Sequence, residues 1–464
     1  MMHSKLGATE RVARYIAEAD FSRASDEYVV HVRRAIVDLF AATLAARNDD
    51  GFRILHRVVS EEMKPGPCTI LATGEKTTPA HAALLNGGAG HALDYDDVSD
   101  TLYGHPTVAL VPPLLAIAES RGLSGRQVVE AYSVGFDVAI AISHALPVRP
   151  HFDRGWHATA SVGVMAATAA LCRLMGLSVE KTRNALGIAG SNVGSSRQNF
   201  GTMTKPLHPG MSSFSAVLSA RLAEEGFTAD PDQLEKPLGY FATFGVNSNV
   251  TRLHESLDSP FALLRDGLSF KKFPCCYNTH RTTDAAIALS RMLPPAALGD
   301  IEYAKVTLHP SGIDPLIHHR PTTGLQGKFS IEYVIAAGLL DGEVTLLSFM
   351  DDAVQRPAIQ QLIRKIEVCE QQVPPIGKPE WDFAYSVLEV KAGGKVYRER
   401  VDIPRGDCRR PLGDDELDLK FVRAVQYAGS GWDAQALLAE IRNLPAREEL
   451  TGFANIPFTA SQPF

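Results

Sequence analysis

The chain has 464 residues, 45% hydrophobic and 21% charged, with a net charge of −7, a pI near 6.1 and a mean hydropathy of −0.04. That length exceeds what one core usually supports, so two domains are expected. An acidic balance without any Lys/Arg block argues against a nucleic-acid surface, and no uninterrupted apolar run reaches the roughly 18 residues of a membrane span.

The opening MMHSKLGATERVARYIAEADF spaces its charges through a helical pattern and lacks the apolar core of a signal peptide. Between Asp26 and Asn48, Val32, Ile36, Leu39, Phe40, Thr43 and Leu44 recur at helical spacing, with Ser25 or Asp26 available as N-cap. Apolar helices rich in Ala and Gly are predicted at about 78–92, 106–121, 125–146, 159–175 and 211–225. Residues 227–243 read as a loop-rich passage with a short helix. The periodicity then changes. IEYAKVTLHP (301–310) is strand-like, and YSVLEVKAGGKVYRERVDIP (385–404) reads as a hairpin turning at Gly393-Gly394. Helices at about 281–293, 329–340 and 356–368 accompany these strands, and helical signals return from Asp414 to Leu444.

The expected class is mainly α. A large all-α domain (1–265, completed by helices in 404–464) carries a smaller α+β lid domain (266–403). Cys68, Cys172, Cys275, Cys276, Cys369 and Cys408 show no regular spacing, which favours a reduced, cytoplasmic compartment over a disulfide framework. No internal repeat or low-complexity tract stands out.

Chemistry concentrates in a few places. NGGAGHALDYDDVSDTLYGHPT (86–107) sets three carboxylates, Asp94, Asp96 and Asp97, and two histidines among small apolar residues. Burial on a turn between two apolar helices would shift their proton affinities. An N-cap role would account for one or two of the acids but not for His105 as well. KPLHPG carries Lys205 and His208, KKFPCCYNTH carries Lys271, Lys272, Cys275, Cys276, Tyr277 and His280, and GWHATA carries His157. Taken singly, each lysine reads as a surface residue and His157 as a helix-start residue bonded to backbone. At most one of the adjacent Lys271 and Lys272 is expected to point inward. Together they suit a pocket for a small anionic substrate.

Metal and cofactor signatures are missing. There is no H-E-x-x-H, no paired C-x-x-C, no three cysteines spaced for an iron–sulfur cluster, and His318-His319 is too compact for one site. No G-x-G-x-x-G follows a strand, and no G-x-x-x-x-G-K-[ST] occurs. Acid and base work without a metal or a cofactor is expected.

The series NGGAGHALDYDD...GHP, GWHATASVG, GTMTKPLHPG and KKFPCCYNTH, joined by PTTGLQGKFSIEYVIAAGLLDG (321–342), resembles the MmgE/PrpD family of 2-methylcitrate dehydratases along nearly the whole chain. The resemblance implies a large all-α domain with an α+β lid, a homodimer, and a metal-free site for a small di- or tricarboxylate. Dehydration, decarboxylation or epimerisation would proceed there. Carried over by motif, the matching residues are Asp94, His105, His157, Lys205 and Lys271, with Tyr333 less closely matched. Val98 and Cys276 stand where a decarboxylase pattern has threonine and histidine. The expected reaction is therefore dehydration of a hydroxy tricarboxylate such as 2-methylcitrate, with epimerisation of the iminodisuccinate type and decarboxylation of the cis-aconitate type as alternatives. His105 and His157 would move protons, because histidine titrates near neutrality. Asp94 would orient one of them or act as base, while Lys205 and Lys271 hold carboxylates. Arg197, in GSSRQNFGT, could add a bidentate contact, although a surface arginine reads equally well. A helical scaffold that has lost its chemistry is the non-enzyme alternative, and the joint presence of the five matching residues weighs against it.

Overall fold

The computed structural model describes residues 6–21, 24–377, 384–429 and 431–453. The chain divides into two compact units, one of Met1–Asn199, Met203–Leu268 and Asp414–Phe464, the other of Phe200–Thr202 and Ser269–Gly413. Residues 454–464, the tail of the region expected to complete the first domain, lie outside the described residues.

In the first unit the helices include α1 (Ala8–Glu18), α2 (Asp26–Ala45), α3 (Asp50–Ser60), α4 (Pro79–Ala92), α5 (Pro106–Arg121), α6 (Gly125–Ala145), α7 (Val148–Asp153), α8 (Ala158–Ser161), α9 (Gly163–Leu174), α10 (Val179–Gly190) and α11 (Thr204–Glu224), and the C-terminal helices Asp414–Ala428 and Ala434–Arg442 belong to the same unit. Local chemistry sets many of these ends. Ser25 accepts from the Tyr28 amide to start α2, and Ser124 with Gln127 forms a full capping box on α6. Pro79 and Pro106 open α4 and α5, where a missing N–H costs nothing because the first turn has no intrahelical acceptor. Gly122, at φ 63°, closes α5 in the left-handed region. By length and composition α6 would suffice to cross a membrane, but it lies inside the unit with Tyr132 and Phe136 fully buried, as a core helix does.

The expectation of a mainly α chain with an all-α first domain is corrected by the strands. The structure is 56% helical and about 8% strand, and strand occurs in both units. In the first, β1 (Cys68–Thr69) pairs antiparallel with β2 (Lys76–Thr77). Two residues per strand are too few to show any alternation in the sequence. In the second, β3 (Ile301–Leu308), β4 (Ile366–Glu370), β5 (Ser386–Ala392) and β6 (Lys395–Val401) form a mixed sheet in the order β4-β3-β5-β6, with β4 parallel to β3. The helix expected over 356–368 is two elements. Only Pro357–Ile363 is helical, and the chain then turns into β4. The chain is thus helix-rich with a real β component.

Gly393 and Gly394 both take positive φ, as the two-residue turn from β5 to β6 requires. Helices His280–Met292 and Ile331–Asp341 supply Ala285, Leu289, Val334 and Ile335 to a core that also takes Val306, Leu388 and Val390 from the sheet.

Within the first unit α4 and α11 pass almost backbone to backbone. A Cβ added to Gly87 would lie 2.9 Å from the Gly210 Cα, and one added to Gly210 would lie 2.6 Å from the Leu84 carbonyl oxygen. Neither neighbour is a flexible side-chain end, so the helices would have to part. Gly210→Ala is therefore expected to destabilise by about 1–3 kcal/mol, the usual cost of overpacking, and urea unfolding checks it. An unchanged midpoint would mean that the crossing yields freely.

Candidate active site

The α4–α11 crossing places two chemically active ends near each other. His91 lies in α4's last turn, and Lys205 and His208 share the face of α11's first turns at i, i+3 spacing. Between α4 and α5 runs the turn carrying Asp94, Asp96 and Asp97. Asp94 has φ 52°, uncommon for a residue with a side chain. A bridge between Ser99 and Gly104 closes the loop that follows. Gly104 lets that loop meet α8, because a Cβ there would come within 2.9 Å of the Thr159 amide nitrogen.

Every group in this cluster is buried: His91, Asp94, Asp96, Asp97, His105, His157, Lys205 and His208 are all at most 9% exposed. The Lys205 ammonium lies 2.5 Å from Asp94 Oδ1. Both oxygens of Asp96 lie 2.9 Å from His91 Nδ1, and Asp96 Oδ2 is 3.4 Å from His105 Nδ1. His105 Nδ1 is 2.7 Å from the Asp97 carbonyl oxygen, which can only accept, so that nitrogen carries the proton and a neutral ring has its lone pair on Nε2. His157 Nδ1 meets His208 Nδ1 at 3.1 Å. One must donate and the other accept, so when both are neutral they are opposite tautomers.

Burial, reinforced by the Lys205 charge and the neighbouring imidazoles, holds His157 well below its usual pKa. Burial and the same lysine bring His208 down to about 4. Both rings are neutral at neutral pH. Asp97 is displaced the other way, raised chiefly by burial and then by the charge of Asp38. Its Oδ2 has no hydrogen-bond partner among the described residues.

The first unit thus brings Asp94, His105, His157 and Lys205 into one cluster. Arg197 is not part of it. Its guanidinium donates to the Phe152 carbonyl at 3.0 Å and stacks 3.8 Å from that ring's centre, so it acts as a local tie. In the second unit Lys271 is fully buried, whereas Lys272 is half-exposed and bonded to Asp284 at 3.3 Å. Tyr333 is fully buried too, its hydroxyl donating to the Ser348 carbonyl and its ring set edge-on to Phe349.

Sequence reasoning passed over His91 as a ring tied to Asp96, and His208 as a partner of His157. The i, i+5 spacing in HALDYD and the i, i+3 spacing in KPLH were the available signals. Among the described residues, ring nitrogens of His91, His105 and His157 lie within 4.8 Å of one another, as do ligand atoms of His91, Asp94 and Asp96. These are the groups that could hold a metal ion.

Two family models match the chain in sequence order. The MmgE/PrpD N-terminal domain model matches residues 10–252 and the MmgE/PrpD C-terminal domain model matches residues 273–445. The chain is 28% identical over 450 residues to cis-aconitate decarboxylase from Homo sapiens, covering 95% of this chain and 92% of the relative. It is 32% identical over 352 residues to the Mus musculus cis-aconitate decarboxylase, covering 74% and 71%. With 2-methylcitrate dehydratase from Escherichia coli K12 it shares 24% over 381 residues, 77% of each chain. With its two domain models matched in order over most of its length, the chain belongs to the MmgE/PrpD family.

Proposed function

We propose that the protein is a lyase that breaks a bond beside a carboxylate of a small polycarboxylate, with decarboxylation of cis-aconitate as the first candidate. The observation that carries the reading is a buried Lys205–Asp94 pair set against neutral His157 and His208. Likeness to a decarboxylase along 95% of the chain is what puts this reaction first. This reverses the order expected from the motifs, which put dehydration first.

In the decarboxylation the bond from carbon to one carboxylate breaks and CO2 leaves. The bonding pair passes into the adjoining alkene and its carboxylate, and one proton closes the carbon. Lys205 would face the negative charge that develops on the retained carboxylate. The proton source follows from the electrostatics. A bound polycarboxylate brings negative charge to neutral imidazoles, which raises their pKa. Binding therefore takes up a proton, and His157, whose proton affinity is lowered by burial and by the Lys205 charge, is the proton donor of this reading.

Dehydration of 2-methylcitrate is the second reading. It is favoured by Val98 and Cys276, which depart from the decarboxylase pattern. Proton NMR in D2O with cis-aconitate, 2-methylcitrate and citrate separates the two. Conversion of cis-aconitate to a dicarboxylate one carbon shorter, carrying one deuterium at carbon, supports decarboxylation. A new alkene signal from 2-methylcitrate without CO2 release supports dehydration, and α-proton exchange alone would turn the assignment to epimerisation. Silence with all three overturns the lyase reading.

A further inference from the structure

The turn that carries Asp94 is held from behind by a group remote in sequence. Lys420, on the C-terminal helix Asp414–Ala428, is only 5% exposed. Its ammonium donates to Asp38 Oδ1 at 2.6 Å and to the Tyr95 carbonyl at 2.7 Å, and it stands 3.9 Å from the centre of the Tyr95 ring. Asp38 is fully buried in the middle of α2. All of these groups belong to the first unit.

A buried lysine is rare unless paired, and a buried ion pair is a poor device for stability, since apolar residues of similar volume commonly do as well. What apolar residues cannot do is grip a carbonyl. Tyr95 lies between Asp94, in its left-handed conformation facing Lys205, and Asp96, which holds His91 and His105. A backbone in that region persists only where its surroundings over-determine it. Asp38 also bears on Asp97, the next carboxyl of the same turn.

We infer that Lys420 and Asp38 are positioning residues. By fixing the Tyr95 carbonyl they set the turn that aims Asp94 at Lys205 and Asp96 at the two histidines. The catalytic consequence rests on the lyase reading above, but the control of the turn does not. Misplacing reactive groups by about 1 Å costs on the order of 100-fold in rate, so a released turn should be plain in kcat.

The test compares Lys420→Met/Asp38→Leu, which replaces the pair by apolar side chains, with Lys420→Gln/Asp38→Asn, which keeps a neutral donor near the carbonyl. Each is measured by thermal melting, by kcat and KM on the substrate the wild type converts, and by imidazole nitrogen NMR. The NMR reads the His105 bond to the Asp97 carbonyl whether or not any substrate is turned over. The apolar pair is expected to melt near the wild type, to lose tenfold or more in kcat with KM within about threefold, and to shift the His105 resonance. The amide pair should recover part of both. If the apolar pair does not fold, the amide pair decides alone, with a shifted His105 resonance and lowered kcat supporting the assignment. A folded variant with wild-type kcat and an unmoved His105 signal overturns it. Should the wild type convert no carboxylate, the lyase reading fails while the NMR comparison still decides the control of the turn.

Discussion

Exchanging Lys205 for methionine should lower kcat/KM by about 10²–10³-fold, the usual cost of removing a group that stabilises charge in the transition state. Methionine fills similar space, so packing is not the cause. The exchange also takes the ammonium from Asp94, a carboxylate only 4% exposed, and breaking a buried pair from one side typically costs about 3–5 kcal/mol. A third effect follows from the histidines. His208 titrates near pH 6.5 when unfolded and at about 4 when folded. Its folded pKa is depressed, so its contribution to stability is present above pH 6.5 and is lost as pH falls from there through 4, a loss of roughly 3 kcal/mol. Lys205 is a secondary cause of that depression, behind burial. In Lys205→Met the acid-side loss should therefore shrink but not vanish. Urea titrations of both proteins between pH 7 and pH 4 measure it. Parallel stability curves, or a kcat/KM within threefold of wild type, would remove Lys205 from the role assigned here.

The second large effect is expected at His157. Asparagine there keeps an amide near the position of Nδ1, where the ring meets His208, and removes Nε2. His157→Asn should keep stability within about 1 kcal/mol, as a retained hydrogen bond allows, and lower kcat by about 10²–10⁴-fold, the range for loss of a general acid or base. His157→Ala should lose activity comparably and also melt lower, because His208 Nδ1 is left facing a gap. A fast asparagine variant would transfer the proton-moving role to His105.

Much of the first unit could be read locally, and the reasons are specific. Helices expected at about 78–92, 106–121 and 125–146 are observed at Pro79–Ala92, Pro106–Arg121 and Gly125–Ala145, because Pro, Ser and Gly mark their ends. The helix expected from 211 begins instead at Thr204. Pro206 falls in the first turn, where no N–H is needed, and Pro209 lies inside the helix. That early start puts Lys205 and His208 on one helical face. The motifs pointed to Asp94, His105, His157 and Lys205, which the fold gathers within one unit. The contacts of His208 with His157 and of Lys420 with Asp38 span 51 and 382 residues. No local pattern encodes such distances. The short strands escaped for a different reason, since β1 and β2 are too brief for periodicity and β4 follows directly on a helix.

The glycine crossing of α4 and α11 acts as a spacer of zero thickness. Gly87 lies one turn before His91, and Gly210 follows Lys205 by little more than one turn, so the close backbone contact stands about one turn from the imidazole on one helix and from the ammonium on the other. Side-chain interfaces can drift by trading a larger residue for a smaller one across the contact. Here nothing remains to trade, and the frame has a fixed length. A side chain added at either glycine would therefore move His91 and Lys205 relative to each other, whatever else in the cluster stayed the same.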